Sequence, residues 1–251
     1  MKYVRFIHNG VERYGALAGD RIRVAEGSPF TSCFMLTSEE IPYESAKLLP
    51  PAPFSKAVCI GLNYRDHAEE FGLPVPETPV VFLKPSTSAT GHDSTIVYPE
   101  MCHRLDYEAE LAVVIGKEAK NAREEDALSY VLGYTIANDV TARDLQPKNG
   151  QWTIAKGFDT FMPLGPYISD EVKADTLMIT SRVNGKTKQK SNTSNLIFTI
   201  PYLISYISHV MTLLPGDIIS TGTPGGISGM HKGDIVEIEI EGLGVLRNTI
   251  G

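Results

Sequence analysis

The stretch from Leu105 to Gly116 constrains the chain most. It reads Leu-Asp-Tyr-Glu-Ala-Glu-Leu-Ala-Val-Val-Ile-Gly. Its period-two pattern predicts a β-strand, because successive strand side chains point to opposite faces. One face carries Leu105, Tyr107, Ala109, Leu111, Val113 and Ile115. The other carries Asp106, Glu108 and Glu110, then turns apolar at Ala112 and Val114. A strand face open to water would stay polar along its length. The change of character puts Glu108 and Glu110 at the mouth of a partly buried site. Neighbouring carboxylates repel unless positive charge lies between them. A hard divalent cation that prefers oxygen ligands is one candidate for that charge. Lys or Arg side chains are the other.

The 251 residues allow one large domain, or one with a small appendage. Net charge is −7 and no run of Lys or Arg stands out, which argues against nucleic acid or an anionic membrane surface as a partner. Cys33, Cys59 and Cys102 have neither zinc spacing nor a disulfide framework and fit a reducing cytoplasm. Met1 to Phe6 show no signal-peptide core. The longest apolar stretch, 197–214, is interrupted by Thr199, Pro201, Ser205, Ser208 and His209 and makes a poor membrane span.

Residues 2–24 read as short β elements, with Asn9-Gly10 as a hairpin turn and Gly19-Asp20 as a second turn. Residues 25–49 carry less pattern. The stiff Leu49-Pro50-Pro51-Ala52-Pro53 segment marks the best boundary, dividing an N-terminal β appendage (1–53) from a main domain (54–251). The main domain opens with a strand at 56–60, followed by a short helix from Arg65 to Phe71, ended by Gly72. Strands follow at 80–84, 133–140, 176–183, 218–221 and 235–240, and residues 124–130 read as helical. Ile200, Leu203, Ile204, Ile207, Met211 and Leu214 recur at helical spacing, which predicts an amphipathic helix over 200–213. Strands outnumber helices, so the expected class is a β-rich α+β fold.

Several stretches occur together and in order: Gly61-Leu62-Asn63-Tyr64-Arg65-Asp66-His67, Leu83-Lys84-Pro85, Asp106-Tyr107-Glu108-Ala109-Glu110, 138–146, 156–160, Val183-Asn184-Gly185, Pro215-Gly216-Asp217 and Thr221-Gly222-Thr223-Pro224. Through them the chain resembles the fumarylacetoacetate hydrolase family over roughly 54–248. The resemblance implies a β-roll domain, usually a homodimer, with one Mg²⁺ or Mn²⁺ held by Glu108, Glu110 and Asp139. It also implies a small-molecule 2-oxo acid substrate that chelates the cation through its carboxylate and keto oxygens, so that the cation stabilises an enolate. Hydrolysis of acylpyruvates is the leading reaction. Decarboxylation of oxaloacetate or a related β-keto acid, and isomerisation of a 2-hydroxy-dienedioate, are the alternatives. A non-catalytic binding protein on the same fold is a remoter one.

Each remaining candidate has two readings. Asp139 is a ligand or a cap for the following turn. Arg143 and Gln146, three apart, either bind the substrate carboxylate together, or Arg143 forms an ion pair with Asp144 or Glu108. Lys156 stabilises substrate charge or pairs with Asp159. Thr223 hydrogen-bonds substrate or shapes a turn. His67 and Glu70, three apart on one helical face, are an acid–base pair on a hinged lid or an incidental surface pair. The resemblance favours the lid, and with it His67, Glu70 and Lys156 as catalytic groups.

Overall fold

The computed structural model describes residues 1–70, 72 and 74–251. A central sheet runs in the order Phe34–Pro42, Arg21–Gly27, Val11–Ala18, Lys2–His8, Met162–Ser169, Val131–Asn138, Ala109–Ile115, Ile218–Ser220, Lys56–Gly61 and Val80–Pro85. Its neighbours pair antiparallel, apart from the parallel pair Ile218–Ser220 and Lys56–Gly61. A second sheet orders Lys186–Asn192, Met178–Val183, Ile235–Ile240, Gly244–Ile250 and Thr95–Ile96. A small third sheet joins Thr141–Ala142, Leu105–Asp106 and Gly229–Met230. Among the described residues three α-helices complete the fold: α1 (Arg65–Glu70), α2 (Thr153–Lys156) and α3 (Ile200–Val210). The β-rich α+β expectation holds.

The Asn9-Gly10 hairpin forms as its sequence dictates, with both residues at positive φ (51° and 76°). The N-terminal strands then join the main sheet where Lys2 and Tyr3 pair with Ser169 and Ile168. Three strands lie where the sequence shows little signal: Phe34–Pro42, Met162–Ser169 and Gly244–Ile250. The second contains Pro163, Gly165 and Pro166, residues that usually mark an edge or the end of a strand. It is nonetheless buried along its whole length, between Lys2–His8 and Val131–Asn138, with a register shift where it meets the latter.

The acidic stretch departs from a single strand. It splits into Leu105–Asp106 and Ala109–Ile115, which belong to different sheets. At the break the Glu108 N–H donates to Asn138 Oδ1 (2.9 Å) and the Ala109 N–H donates to Gln189 Oε1 (3.0 Å). Two side-chain amides thus satisfy the backbone groups there and let the chain change sheets. The alternation survives in the longer piece. Ala109, Leu111, Val113 and Ile115 face a core shared with Ile179, Ile238, Leu246 and α3. Ala112 and Val114 face another, with Ala57, Cys59, Leu164 and Ile218.

Helix α3 starts at Thr199, whose hydroxyl accepts from the Tyr202 N–H, and Pro201 sits in the first turn, where its missing N–H costs nothing. Ile200, Leu203, Ile204 and Ile207 are buried in its own chain's core, so this apolar face is not free to contact another copy. The helix stops at Val210, short of the expected 213, because Leu213 pairs with Ala119 instead (N–H to O distances of 3.0 and 2.9 Å). Residues 124–130 form a 3₁₀ helix. Helix α1 is described as far as Glu70, and Phe71 lies outside the described residues. No helix among the described residues is long and apolar enough to cross a membrane.

Leu111 is fully buried in the core that the strand shares with α3. Leu111→Ala should cost about 2–5 kcal/mol in urea unfolding. A loss under about 1 kcal/mol would show that this strand is not the packing centre.

Candidate active site

Strand pairing creates the centre of the site. Ala109 pairs with Asn138, and the Asp139 N–H donates to the Glu108 carbonyl at 2.9 Å. Glu108 and Asp139 therefore leave neighbouring strands side by side, and Glu110 follows one pleat along. Ligand oxygens of Glu108, Glu110 and Asp139 all lie within 4.8 Å of one another, and all three residues are buried. Asp139 does not use its side chain as a cap, since both carboxylate oxygens accept from lysines.

Three cations surround this triad. Lys156, at the end of α2, donates to Glu108 Oε2 (2.8 Å) and Asp139 Oδ2 (2.7 Å). No pair with Asp159 forms among the described residues; the lysine turns inward. Arg143 bonds Glu108 and Gln146 and reaches Asp106 Oδ2 at 2.8 Å, not Asp144. Lys84 is the third. It is fully buried and bonds Asp139 Oδ1 and the Val140 carbonyl (3.0 Å for the latter). Sequence reasoning gave Lys84 no role, although alternation within Val80–Pro85 places it on one face with Phe82. A lysine on the covered face of an apolar strand was the signal. Gln189 and Ser220 were missed as well, and no local pattern marks either.

The carboxylates differ in environment. Burial alone would raise the Glu108 carboxyl, but Lys156 and Arg143 outweigh it and hold the group well below the ordinary range. Glu110 has no direct cationic partner among the described residues. Its Oε2 accepts from the Ser220 hydroxyl and from the Gly222 N–H at 3.0 Å. Burial, then Asp139 and Glu108, push it up to about 8. The Gly222 turn has φ +99°, and an added Cβ would come within 2.8 Å of Asn63 Cβ, so only glycine lets this N–H approach.

A cavity of about 690 Å³ opens over the triad. Its wall includes His67, Arg143, Gln146, Lys156 and Thr223 with Phe82 and Trp152. Thr223 also carries a structural duty. Its hydroxyl donates to the Ala109 carbonyl (2.9 Å) and accepts from Gln189 (2.8 Å). His67 is buried on α1, with Nδ1 3.7 Å from Glu70 Oε2. Glu70 stands behind the wall and accepts from the Gly226 N–H at 3.0 Å. Asp66 ties α1 to Ser191 of the second sheet. Burial lowers the His67 pKa below its ordinary 6.5, partly opposed by Glu108 and Glu70.

The fumarylacetoacetate (FAA) hydrolase C-terminal family model matches residues 56–251. The chain belongs to the fumarylacetoacetate hydrolase family. A second model, Rv2993c-like, N-terminal, matches residues 1–51. The chain is 44% identical over 214 residues to the mitochondrial oxaloacetate tautomerase Fahd2a of Rattus norvegicus, covering 81% of this chain and 68% of the relative. A solved 2-hydroxyhepta-2,4-diene-1,7-dioate isomerase from Mycobacterium marinum superposes with TM-score 0.92 at 39% identity, covering 100% of this chain and 98% of that one. A fumarylacetoacetate hydrolase from Exiguobacterium antarcticum gives 0.90 at 31%, covering 100% and 99%. The family's members are enzymes, and the fold is theirs.

An all-oxygen donor set of three buried carboxylates suits a hard divalent ion, so Glu108, Glu110 and Asp139 are able to hold one. The raised Glu110 group gives a test on chelator-treated protein. A carboxyl whose folded pKa lies above its ordinary 4.5 is destabilising, increasingly so as pH rises from 4.5 to about 8. Glu110→Gln removes that slope. It should raise Tm by roughly 10 °C at pH 8, leave it nearly unchanged near pH 5, and weaken Mn²⁺ binding. A variant less stable than the parent at pH 8 would refute the raised carboxyl.

Proposed function

We propose that the protein moves a proton at the carbon beside the keto group of a 2-oxo acid, interconverting its keto and enol forms. One observation carries the reading: a buried histidine with a lowered pKa and an all-carboxylate triad line the same cavity. At neutral pH His67 is an unprotonated base. Glu70 orients the imidazole and balances the charge it gains on taking the proton. Arg143 and Gln146 receive the substrate carboxylate, and Lys156 lies where it can steady negative charge on the keto oxygen. Mg²⁺ or Mn²⁺ on Glu108, Glu110 and Asp139 would supply Lewis-acid polarisation of the keto group. The names of the rat and Mycobacterium marinum proteins, a tautomerase and an isomerase, support this class of chemistry.

Acylpyruvate hydrolysis is the second reading, favoured by the name of the Exiguobacterium protein and by Glu70 standing behind His67. It needs the same enolate, here as leaving group, with His67 taking its proton from water. Decarboxylation of a β-keto acid needs the enolate but no base.

In D₂O with Mg²⁺, NMR should show enzyme-catalysed exchange of the C3 protons of a 2-oxo acid. His67→Ala should slow it by about 10²–10⁴-fold while metal binding stays intact. The acidic limb of the kcat/KM profile should fall below pH 6.5, since the free imidazole is the active form and its pKa is lowered. Full exchange in His67→Ala would remove it from the mechanism. Pyruvate release from acetylpyruvate, with no exchange, would favour hydrolysis.

The proposal includes a homodimer. The face of α3 that carries Ile200, Leu203, Ile204 and Ile207 is buried within the chain, but the edge strand Val80–Pro85 leaves Val81 and Leu83 exposed, and an apolar edge invites cover. Light scattering should give twice the chain mass of 27.5 kDa; a monomer at micromolar concentration would refute it.

A further inference from the structure

The mouth of the cavity carries a second charge pattern, in front of the triad. Arg104 and Lys148 both line it. Arg104 is firmly anchored. Its Nε and Nη2 donate to Asp106 at 2.9 and 3.1 Å, its backbone N–H donates to Asp144 at 3.0 Å, and its carbonyl accepts from the Arg143 N–H at 2.8 Å. Asp106 is fully buried and pairs with two guanidinium groups at once, those of Arg104 and Arg143. Arg143 has Glu108 as a second partner, whereas Arg104 shares Asp106 with it and has no other carboxylate paired to its side chain among the described residues. The Arg104 side chain stays 54% exposed, leaving donors on Nη1 for a further acceptor. Lys148 is exposed on the same rim, between Gln146 and Trp152, and makes no ion pair among the described residues.

The charge count points the same way. The cavity is lined by the cations Arg104, Arg143, Lys148 and Lys156 and by the carboxylates Glu108, Glu110 and Asp139. The lining therefore carries excess positive charge before any divalent ion adds two more. The chain as a whole carries −7, so this mouth runs against the overall balance and would draw anions in. A 2-oxo acid with one carboxylate, directed to Arg143 and Gln146, leaves the rim unmatched. A second carboxylate at the far end would match it, and a guanidinium held by a buried acid is pre-organised for that contact.

We propose that Arg104 and Lys148 form an anion subsite at the cavity mouth that takes the distal carboxylate of a dianionic 2-oxo acid. The subsite rests on the reading that the 2-oxo acid end lies on the triad. Calorimetric binding to the Mg²⁺-loaded protein tests it with oxaloacetate and 2-oxoglutarate, each against its distal monomethyl ester. Each pair differs by one negative charge. The diacids should bind about tenfold tighter than their esters. Arg104→Gln and Lys148→Gln should each remove most of that difference and leave ester affinity unchanged.

Equal affinity for diacid and ester in the parent protein would overturn the subsite. So would an equal loss for both ligands in Arg104→Gln, which would mean that Arg104 only braces Asp106 and Arg143. Lys148 is exposed and makes no ion pair among the described residues, so its variant reads the subsite without disturbing the fold. The two proposals fail separately. Diacid preference without proton exchange would sink the reaction and keep the subsite, whereas exchange without charge preference would sink the subsite alone.

Discussion

Three carboxylates buried within 4.8 Å of one another are the constraint around which this molecule is arranged. Unpaired buried charge is costly, and like charges at this separation compound the cost. The fold answers with three cations from separate parts of the chain. Lys84 comes from an edge strand, Lys156 from a four-residue helix and Arg143 from a 3₁₀ turn. Their ion pairs distribute unevenly. Glu108 and Asp139 are matched on both oxygens, while among the described residues Glu110 has only the Ser220 hydroxyl and the Gly222 N–H. Glu110 is thus the carboxylate of the triad with no cation against it among the described residues, and the place where a divalent ion adds most.

The cations themselves need support, and this extends the network outward. Asp106, four residues before Glu110, holds Arg143 in place and holds Arg104 at the mouth. The Lys156 ammonium sits 5.0 Å from the centroid of Phe82, and the Phe82 ring meets Trp152 edge-on. The wall that shapes the cavity is thus also the wall that keeps water from screening the ion pairs. Opposite it, α1 is tethered through Asp66 to Ser191 and through Glu70 to Gly226.

Much of this was legible in the residues. The alternation that turns from acidic to apolar marked the segment in which Glu108 and Glu110 are buried, because a strand's period is a local property of the backbone. The hairpin turn at Asn9-Gly10 was equally legible, since φ preference is intrinsic to those residues. The strand Met162–Ser169 was hidden because its two prolines argue locally against a central strand, and only the surrounding pairing overrides them. Helix α3 was recognisable from its spacing, but its end was set by Leu213 pairing with Ala119.

The sequence by itself determined the strand periodicity, the acid-rich stretch, the amphipathic helix and the oxygen-rich chemistry of the candidate site. Each follows from neighbours within a few residues. Only the tertiary structure decided where the acidic strand breaks, because the amides that satisfy its backbone come from Asn138 and Gln189, 30 and 80 residues away. Only it decided which charges meet: Lys84 reaches Asp139 across 55 positions, and Lys156 reaches Glu108 across 48. A carboxylate's partner is set by distance in space, and that distance exists only once the sheets have closed over the site.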